Sequence, residues 1–412
     1  MRPSLWLLLA LAARALGISV LSGARGLPLS RKLWPAAASA LTATASDDLE
    51  AAYLQQLSVQ QLPSGFRVGV CGFQFSPVEV EDATAVMNLT LIALDEPTLN
   101  WAATFTRNRF PGAPVKVGRS RLAAGGALQA IIVNNKISNV CSAGDGVAAS
   151  EQLCDGVAEA LGLEGGAQAV LPLSTGVIGW QLPLEHMLAA LPEAAAALSH
   201  GSALPAAQSI MTTDRFPKLR SVATCGGTLV GFAKGAGMIE PDMATMLAFV
   251  LTDVAVARED LQPMLSRCAD VSFNCASVDA DQSTSDSLVC LSTGPGATIE
   301  GQALADFEAA LTELCTQLSA DLVRNGEGTT HVIRVAVGGA PSAALARGVG
   351  KAVVNSPPNP NPNPNPNPNP HPHPHPHPHP NPHPNQVWAR LSSTRRSSNQ
   401  RWPATIRTLV VS

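Results

Sequence analysis

From Pro358 to Pro384 every second residue is proline, first as a run of Asn-Pro and then of His-Pro. Proline has no backbone N–H and fixes φ, so such a run can neither extend a helix nor complete a sheet ladder. The tract is therefore expected to be extended, polyproline-like or disordered, and any core has to be built by the residues before it. Of the 412 residues 46% are hydrophobic, enough to bury one large core or two smaller ones. A formal net charge of −4 and an aromatic content of 4% provide neither a basic face nor a set of base-stacking platforms. Nucleic acid is not an expected partner.

The residues before Asp47 include no Asp or Glu, yet they carry Arg2, Arg14, Arg25, Arg31 and Lys32. That composition predicts a targeting peptide over 1–50, addressed to the mitochondrial matrix or the plastid stroma. Its apolar run over 5–13 falls far short of the roughly 20 residues that span a bilayer, so no membrane partner is expected. Secretion is the competing reading, under which the sequon Asn88-Leu89-Thr90 would matter. The eight cysteines show no CxxC and no zinc-ligand spacing, and they read as buried thiols rather than a disulfide framework.

Between residues 64 and 356, short runs rich in Val, Ile and Leu predict strands over 66–73, 89–94, 130–133, 169–173, 228–233, 288–291 and 331–337. Helices are predicted over 146–161, 184–198 and 302–324. In the last, Leu304, Phe307, Leu311, Leu314, Leu318 and Leu322 fall at spacings of three and four and form one apolar stripe. The mixture predicts an α/β (α+β) fold with helices packed on mixed β-sheets.

Chemistry has few handles. Before the proline tract the only histidines are His186, His200 and His331, and there is no GxSxG elbow, Walker loop or GxGxxG fingerprint. Asp279, Asp281 and Asp286 lack the glycine and glutamate spacing of a calcium loop and read as loop carboxylates. The six tail histidines can bind transition metals adventitiously, so neither a metal nor a cofactor is implied. What stands out is KGAGMIEPDMATML over 234–247, where glycines permit a tight turn and an apolar strand follows Thr245 at once. Two readings stand: a loop leading into a buried strand, or a self-cleaving junction. In the second, Thr245 attacks the carbonyl of Ala244, the acyl group shifts from nitrogen to oxygen, and water removes it. The freed α-amine, with an ordinary pKa of about 7.7 to 8.0, then serves as base for the threonine's own hydroxyl.

This segment resembles the self-cleavage site of the ArgJ family, the ornithine acetyltransferases or glutamate N-acetyltransferases. PSGFRVGVCG, MNLTLIALDEP, FTRNRFPGAPV, LSTGVIGWQLP, SIMTTDRFPK, SFNCASVDADQSTSDS, LVRNGEGTTHVIRVAVGGA and KAVVNSP resemble further family blocks in the family's order, over 62–357. The resemblance implies a self-cleaving, N-terminal-nucleophile type acyltransferase of the ArgJ/DmpA-like fold. It implies an α chain over 55–244 and the N-terminal part of a β chain over 245–356, with the tract over 357–385 and a tail over 386–412 outside it. Thr245 is then the nucleophile, Ala244–Thr245 the cleaved bond, and Thr175 and Gly176 the oxyanion hole. Lys234, Glu327 and one of Thr212 and Thr213 are implied to bind substrate.

The reaction implied is acetyl transfer from N-acetylornithine to glutamate in arginine biosynthesis, with acetyl-CoA as an additional donor in some members. No cofactor is needed, and the two chains are implied to stay packed together as a heterotetramer. After KAVVNSP the family's last block, with a DPNWGR-like motif, is replaced by the proline tract. The expectation is that the tract is translated intron or a shifted frame. Two other outcomes remain open: an inactive relative that associates with a complete enzyme, and a self-cleaving aminopeptidase-like hydrolase in which water is the acceptor.

Overall fold

The computed structural model describes residues 49–238, 246–329, 332–354 and 406–411. The expected targeting peptide up to residue 48, the junction residues Ala244 and Thr245, His331 and the proline tract lie outside the described residues. Residues 1–59 and 60–412 separate into two compact units. The first contributes a helix over 49–58.

The second unit is built on two sheets. A four-stranded sheet contains β1 (Phe66–Phe75), β2 (Ala85–Thr98), β4 (Leu128–Asn134) and β5 (Val170–Ser174) in the order β1-β2-β4-β5. Its first two pairings are antiparallel and β4 runs parallel to β5. A five-stranded sheet contains β3 (Trp101–Phe105), β6 (Lys218–Thr224), β7 (Gly227–Lys234), β8 (Leu247–Thr252) and β9 (Ser287–Ser292) in the order β3-β9-β8-β7-β6. Here β8 and β9 are parallel and the other pairings antiparallel.

Each sheet carries helices on one face. On the first, Leu89, Leu91, Ala130, Ile132 and Val170 pack with Leu153 and Val157 of α2 (Gly146–Leu161) and with Met187 and Leu191 of α3 (Leu184–Ala196). α2 starts where Asp145 accepts from the Val147 and Ala148 N–H groups, both at 3.0 Å, and stops at Gly162 with φ of 63°. On the second sheet, Leu229, Ala233, Ala248, Val250 and Leu288 pack with Leu261 and Leu265 of α5 (Arg258–Val271) and with the leucine stripe of α6 (Gly301–Arg324). Each buried leucine or phenylalanine there contributes about 1.5–3 kcal/mol of transfer free energy. Gly231 permits the close approach, since a Cβ on it would stand 2.8 Å from Leu318 Cδ1.

The alternate residues of these strands, such as Ile131 and Leu171 on one sheet and Phe232 and Phe249 on the other, are buried as well. Both faces of each sheet are therefore covered, with helices outside and apolar faces inside. Phe232 and Phe249 stack with ring centroids 5.0 Å apart. Shorter or smaller elements complete the unit: α1 (Ala113–Ala124), α4 (Leu204–Ser209) and α7 (Ala343–Val354).

Every strand and helix predicted from the sequence has a counterpart, and the expected α/β fold is present. The tail, left unassigned from the sequence, contributes one strand. Residues 386–412 lack a core pattern, yet β11 (Ile406–Val411) pairs antiparallel with β10 (Val332–Val337) in a two-stranded sheet. The cysteines differ in part: none of the eight forms a disulfide, but Cys141 and Cys225 are exposed rather than buried.

Candidate active site

The C-terminal ends of β4, β5 and β7 and the N-terminal ends of β8 and β9 converge at one end of the sheets. A cavity of about 810 Å³ opens there, and it is lined by Thr175, Gly176, Thr212, Thr213, Lys234 and Glu327. The structure thus brings together every described residue that the resemblance implied. Ala244 and Thr245 fall outside the described residues, but Met246, covalently next to Thr245, is buried at the start of β8.

The turn after β5 is fixed by neighbours. Thr175 N–H donates to the Asn134 carbonyl at 3.1 Å, and Val177 N–H donates to the Lys136 carbonyl at 2.8 Å. Gly176 has φ of 119°, and a Cβ on it would stand 2.2 Å from the Lys136 carbonyl oxygen. Only glycine fits this backbone. Ser138 Oγ donates to the Gly176 carbonyl at 2.7 Å, while the Gly176 N–H has no partner among the described residues. That leaves one backbone donor available at the cavity.

The second donor comes from Thr175, which is fully buried. Lys234 Nζ donates to its Oγ1 at 2.8 Å. The hydroxyl that accepts from an ammonium keeps its own proton for another partner, and the nearby positive charge makes it a better donor. Lys234 is 2% exposed, and burial pulls its pKa down to about 8 even though Asp214 draws it up. The lysine is thus cationic at pH 7 and half discharged near pH 8.

Asp214 organises this charge. Its Oδ1 accepts from Lys218 Nζ and, at 2.7 Å, from the Gly235 N–H; its Oδ2 accepts from the Thr212 N–H at 3.0 Å. Burial pushes the Asp214 carboxyl up, but Lys218 and Lys234 together pull it below its usual range. Lys218 is itself lowered by burial against the pull of Asp214. Asp214 and Lys218 carry no motif at sequence level beyond their positions in TTDRFPK. Their only signal is an acid and a base four residues apart next to the threonines.

Of the two threonines left open by the sequence, Thr213 engages the far wall, its hydroxyl hydrogen-bonded to the Glu327 carboxylate. Glu327 N–H donates to the Ala236 carbonyl at 2.6 Å, tying the turn after α6 to the glycine turn after β7. Asp279 and Asp281, expected to be loop carboxylates, also line the cavity, as do Lys136 and Asn135. Asp286 also lies in the loop, at the approach to β9, but is 0% exposed. Among the described residues no group of three or more His, Cys, Asp and Glu converges as metal ligands.

An α/β frame with the Thr175–Gly176 turn and the buried Lys234 at one cavity suits the chemistry of acyl transfer. Residues 77–358 match the ArgJ family, and the chain belongs to that family. It is 43% identical over 291 residues to the arginine biosynthesis bifunctional protein ArgJ of Nitratidesulfovibrio vulgaris, an alignment covering 69% of this chain and 73% of the relative. Against the protein of the same name from Geobacter sulfurreducens it is 39% identical over 298 residues, 70% of this chain and 75% of the relative. Among solved structures, ornithine acetyltransferase complexed with ornithine from Mycobacterium tuberculosis matches with a TM-score of 0.38 and 32% identity. That match covers 46% of this chain and 98% of the other.

Proposed function

We propose that this chain transfers an acetyl group from N-acetylornithine to glutamate through an acetyl ester on Thr245. The observation that carries the reading is the contact of Lys234 Nζ with Thr175 Oγ1 at 2.8 Å beside the unpaired Gly176 N–H. These donors suit the oxyanion of a tetrahedral intermediate, where preorganised donors away from water contribute most.

In the first stage Thr245 Oγ attacks the carbonyl carbon of Ala244, the bond to the Thr245 nitrogen breaks and frees the α-amine, and water hydrolyses the resulting ester to release the Ala244 carboxylate and restore the Thr245 hydroxyl. In the second, that amine takes the hydroxyl proton as Oγ attacks the acetyl carbonyl of N-acetylornithine, and the leaving ornithine nitrogen is protonated. Glutamate's amine then attacks the ester, giving N-acetylglutamate and restoring the threonine. The cavity's charges suit these substrates. Lys234 and Lys136 fit a carboxylate, and Glu327, Asp279 and Asp281 fit a side-chain ammonium. A water acceptor, as in a hydrolase, would need neither set.

On this reading residues 55–244 are the α chain and residues 245–356 the N-terminal part of the β chain of the mature enzyme, assembled as a heterotetramer, and residues 1–50 direct it to an organelle. Acetyl-CoA as a second donor belongs to the same proposal. Intact-mass analysis of the purified protein tests it: two fragments are expected, the second starting at Thr245. T245A is expected to remain one chain without transferase activity. A wild-type chain that stays uncut while transferring acetyl would refute the mechanism.

A further inference from the structure

Asp286 is a fully buried carboxyl, bonded to the residue that follows the proposed nucleophile and outside every role assigned above. Its Oδ1 accepts from the Met246 N–H at 2.9 Å, and that nitrogen belongs to the peptide bond joining Met246 to Thr245. The Met246 carbonyl in turn accepts from the N–H of the neighbouring Ser287 at 3.0 Å. Asp286 and Ser287 thus hold both peptide groups of the first described residue after the junction. On the other side of the junction, Met238, the last described residue before it, gives its N–H to the Asp279 carboxylate.

Burial pushes this carboxyl well above the usual carboxylate range, against the hydrogen bonds from the Met246 N–H, Ser283 and Thr106 and the charge of Lys234.

We propose that Asp286 is a positioning residue that clamps the Thr245–Met246 peptide and so sets Thr245 against the Thr175–Gly176 turn, for self-cleavage and for acyl transfer alike. The inference rests on Thr245 as the nucleophile. Asparagine is the near-isosteric replacement that keeps a carbonyl oxygen to accept from Met246. Alanine removes that acceptor.

The full chain is compared as wild type, D286N, D286A and T245A, following conversion to two fragments by intact mass and measuring kcat and KM on the cleaved forms. D286A is expected to slow cleavage and lower kcat by about 100-fold, the cost of roughly 1 Å of misplacement, with KM little changed. D286N is expected to restore both to within about tenfold, which a role in general fold stability alone would not separate from KM. Should D286A fail to fold, D286S, which keeps an acceptor for Met246, takes its place and is expected to fall between D286N and the alanine loss. The proposal is overturned if wild type is cut at Thr245 and D286A or D286S cleaves and turns over like it. It is equally overturned if D286N is as impaired as the variant lacking the carboxyl. If wild type is never cut, or T245A is cut at the same bond, the nucleophile reading itself falls and this inference falls with it.

Discussion

Replacing Lys234 by methionine separates what the buried cation costs the fold from what it gives the site. Burial holds its pKa at about 8 rather than the ordinary 10.5, so charging this lysine is harder in the folded protein than in the unfolded chain. The gap corresponds to about 3 kcal/mol at about 1.36 kcal/mol per pH unit. Because the folded-state value is depressed, the unfolded chain binds more protons between about pH 8 and 10.5, and stability rises with pH across that window. Below pH 8 the wild type carries the whole penalty.

K234M removes the charge while keeping most of the stem's volume, at the loss of the hydrogen bond to Thr175, worth about 1–2 kcal/mol. At pH 7 the variant is expected to be more stable by about 1–2 kcal/mol, a rise in Tm of roughly 2–8 °C for an ordered unit of this size. Near pH 10 the advantage is expected to shrink or reverse. Acetyl transfer is expected to fall by about 100-fold or more, since Thr175 loses the cation that strengthens it as a donor. Thermal melts at several pH values, with rates alongside, check both halves. A variant that melts below wild type at pH 7, or whose difference in Tm is the same at pH 7 and pH 10, would refute the account of Lys234.

Two further substitutions address the walls of the cavity. G176A forces a side chain into a backbone with φ of 119° and onto the Lys136 carbonyl. It is expected to cost about 1–3 kcal/mol of stability, seen by denaturant unfolding, and most of the activity. E327Q is expected to raise KM for N-acetylornithine by about 10- to 100-fold, with a smaller change in kcat, because it removes a charged partner worth about 1.5–3 kcal/mol. Steady-state kinetics at pH 7 measure it, and an unchanged KM would remove Glu327 from the binding site.

What could be read from the sequence follows from which physical signals are local. β1, β5 and α6 announce themselves by apolar runs or a leucine stripe. β6 does not, because it is an edge strand paired only with β7, and Arg220, Ser221 and Thr224 break the apolar run. α5 carries Pro263 inside it, and α7 carries Gly348 and Gly350, so composition argued against helices that packing maintains. The cavity shows the same division. Family blocks pointed to Thr175, Lys234 and Glu327, but Lys234 and Thr175 are 59 residues apart, and no spacing rule joins them. Asp214 organises the site through contacts made only when β7 and the loop before β6 come together. Asp286 read as a loop carboxylate because burial, which makes it unusual, is invisible in SVDADQSTSDS.

The strand order β3-β9-β8-β7-β6 interleaves segments from both sides of residue 245. β8, flanked on one side by β7 from before the junction and on the other by β9 from after it, sits at the sheet's centre. A cut at the proposed bond would leave every ladder hydrogen bond of that sheet in place while changing the partners from one molecule to two. Separating the products would then require dismantling the core, so their dissociation and the unfolding of the enzyme are one event. Dilution alone should not part them, and mature protein once denatured has to find its partner chain before it can fold again.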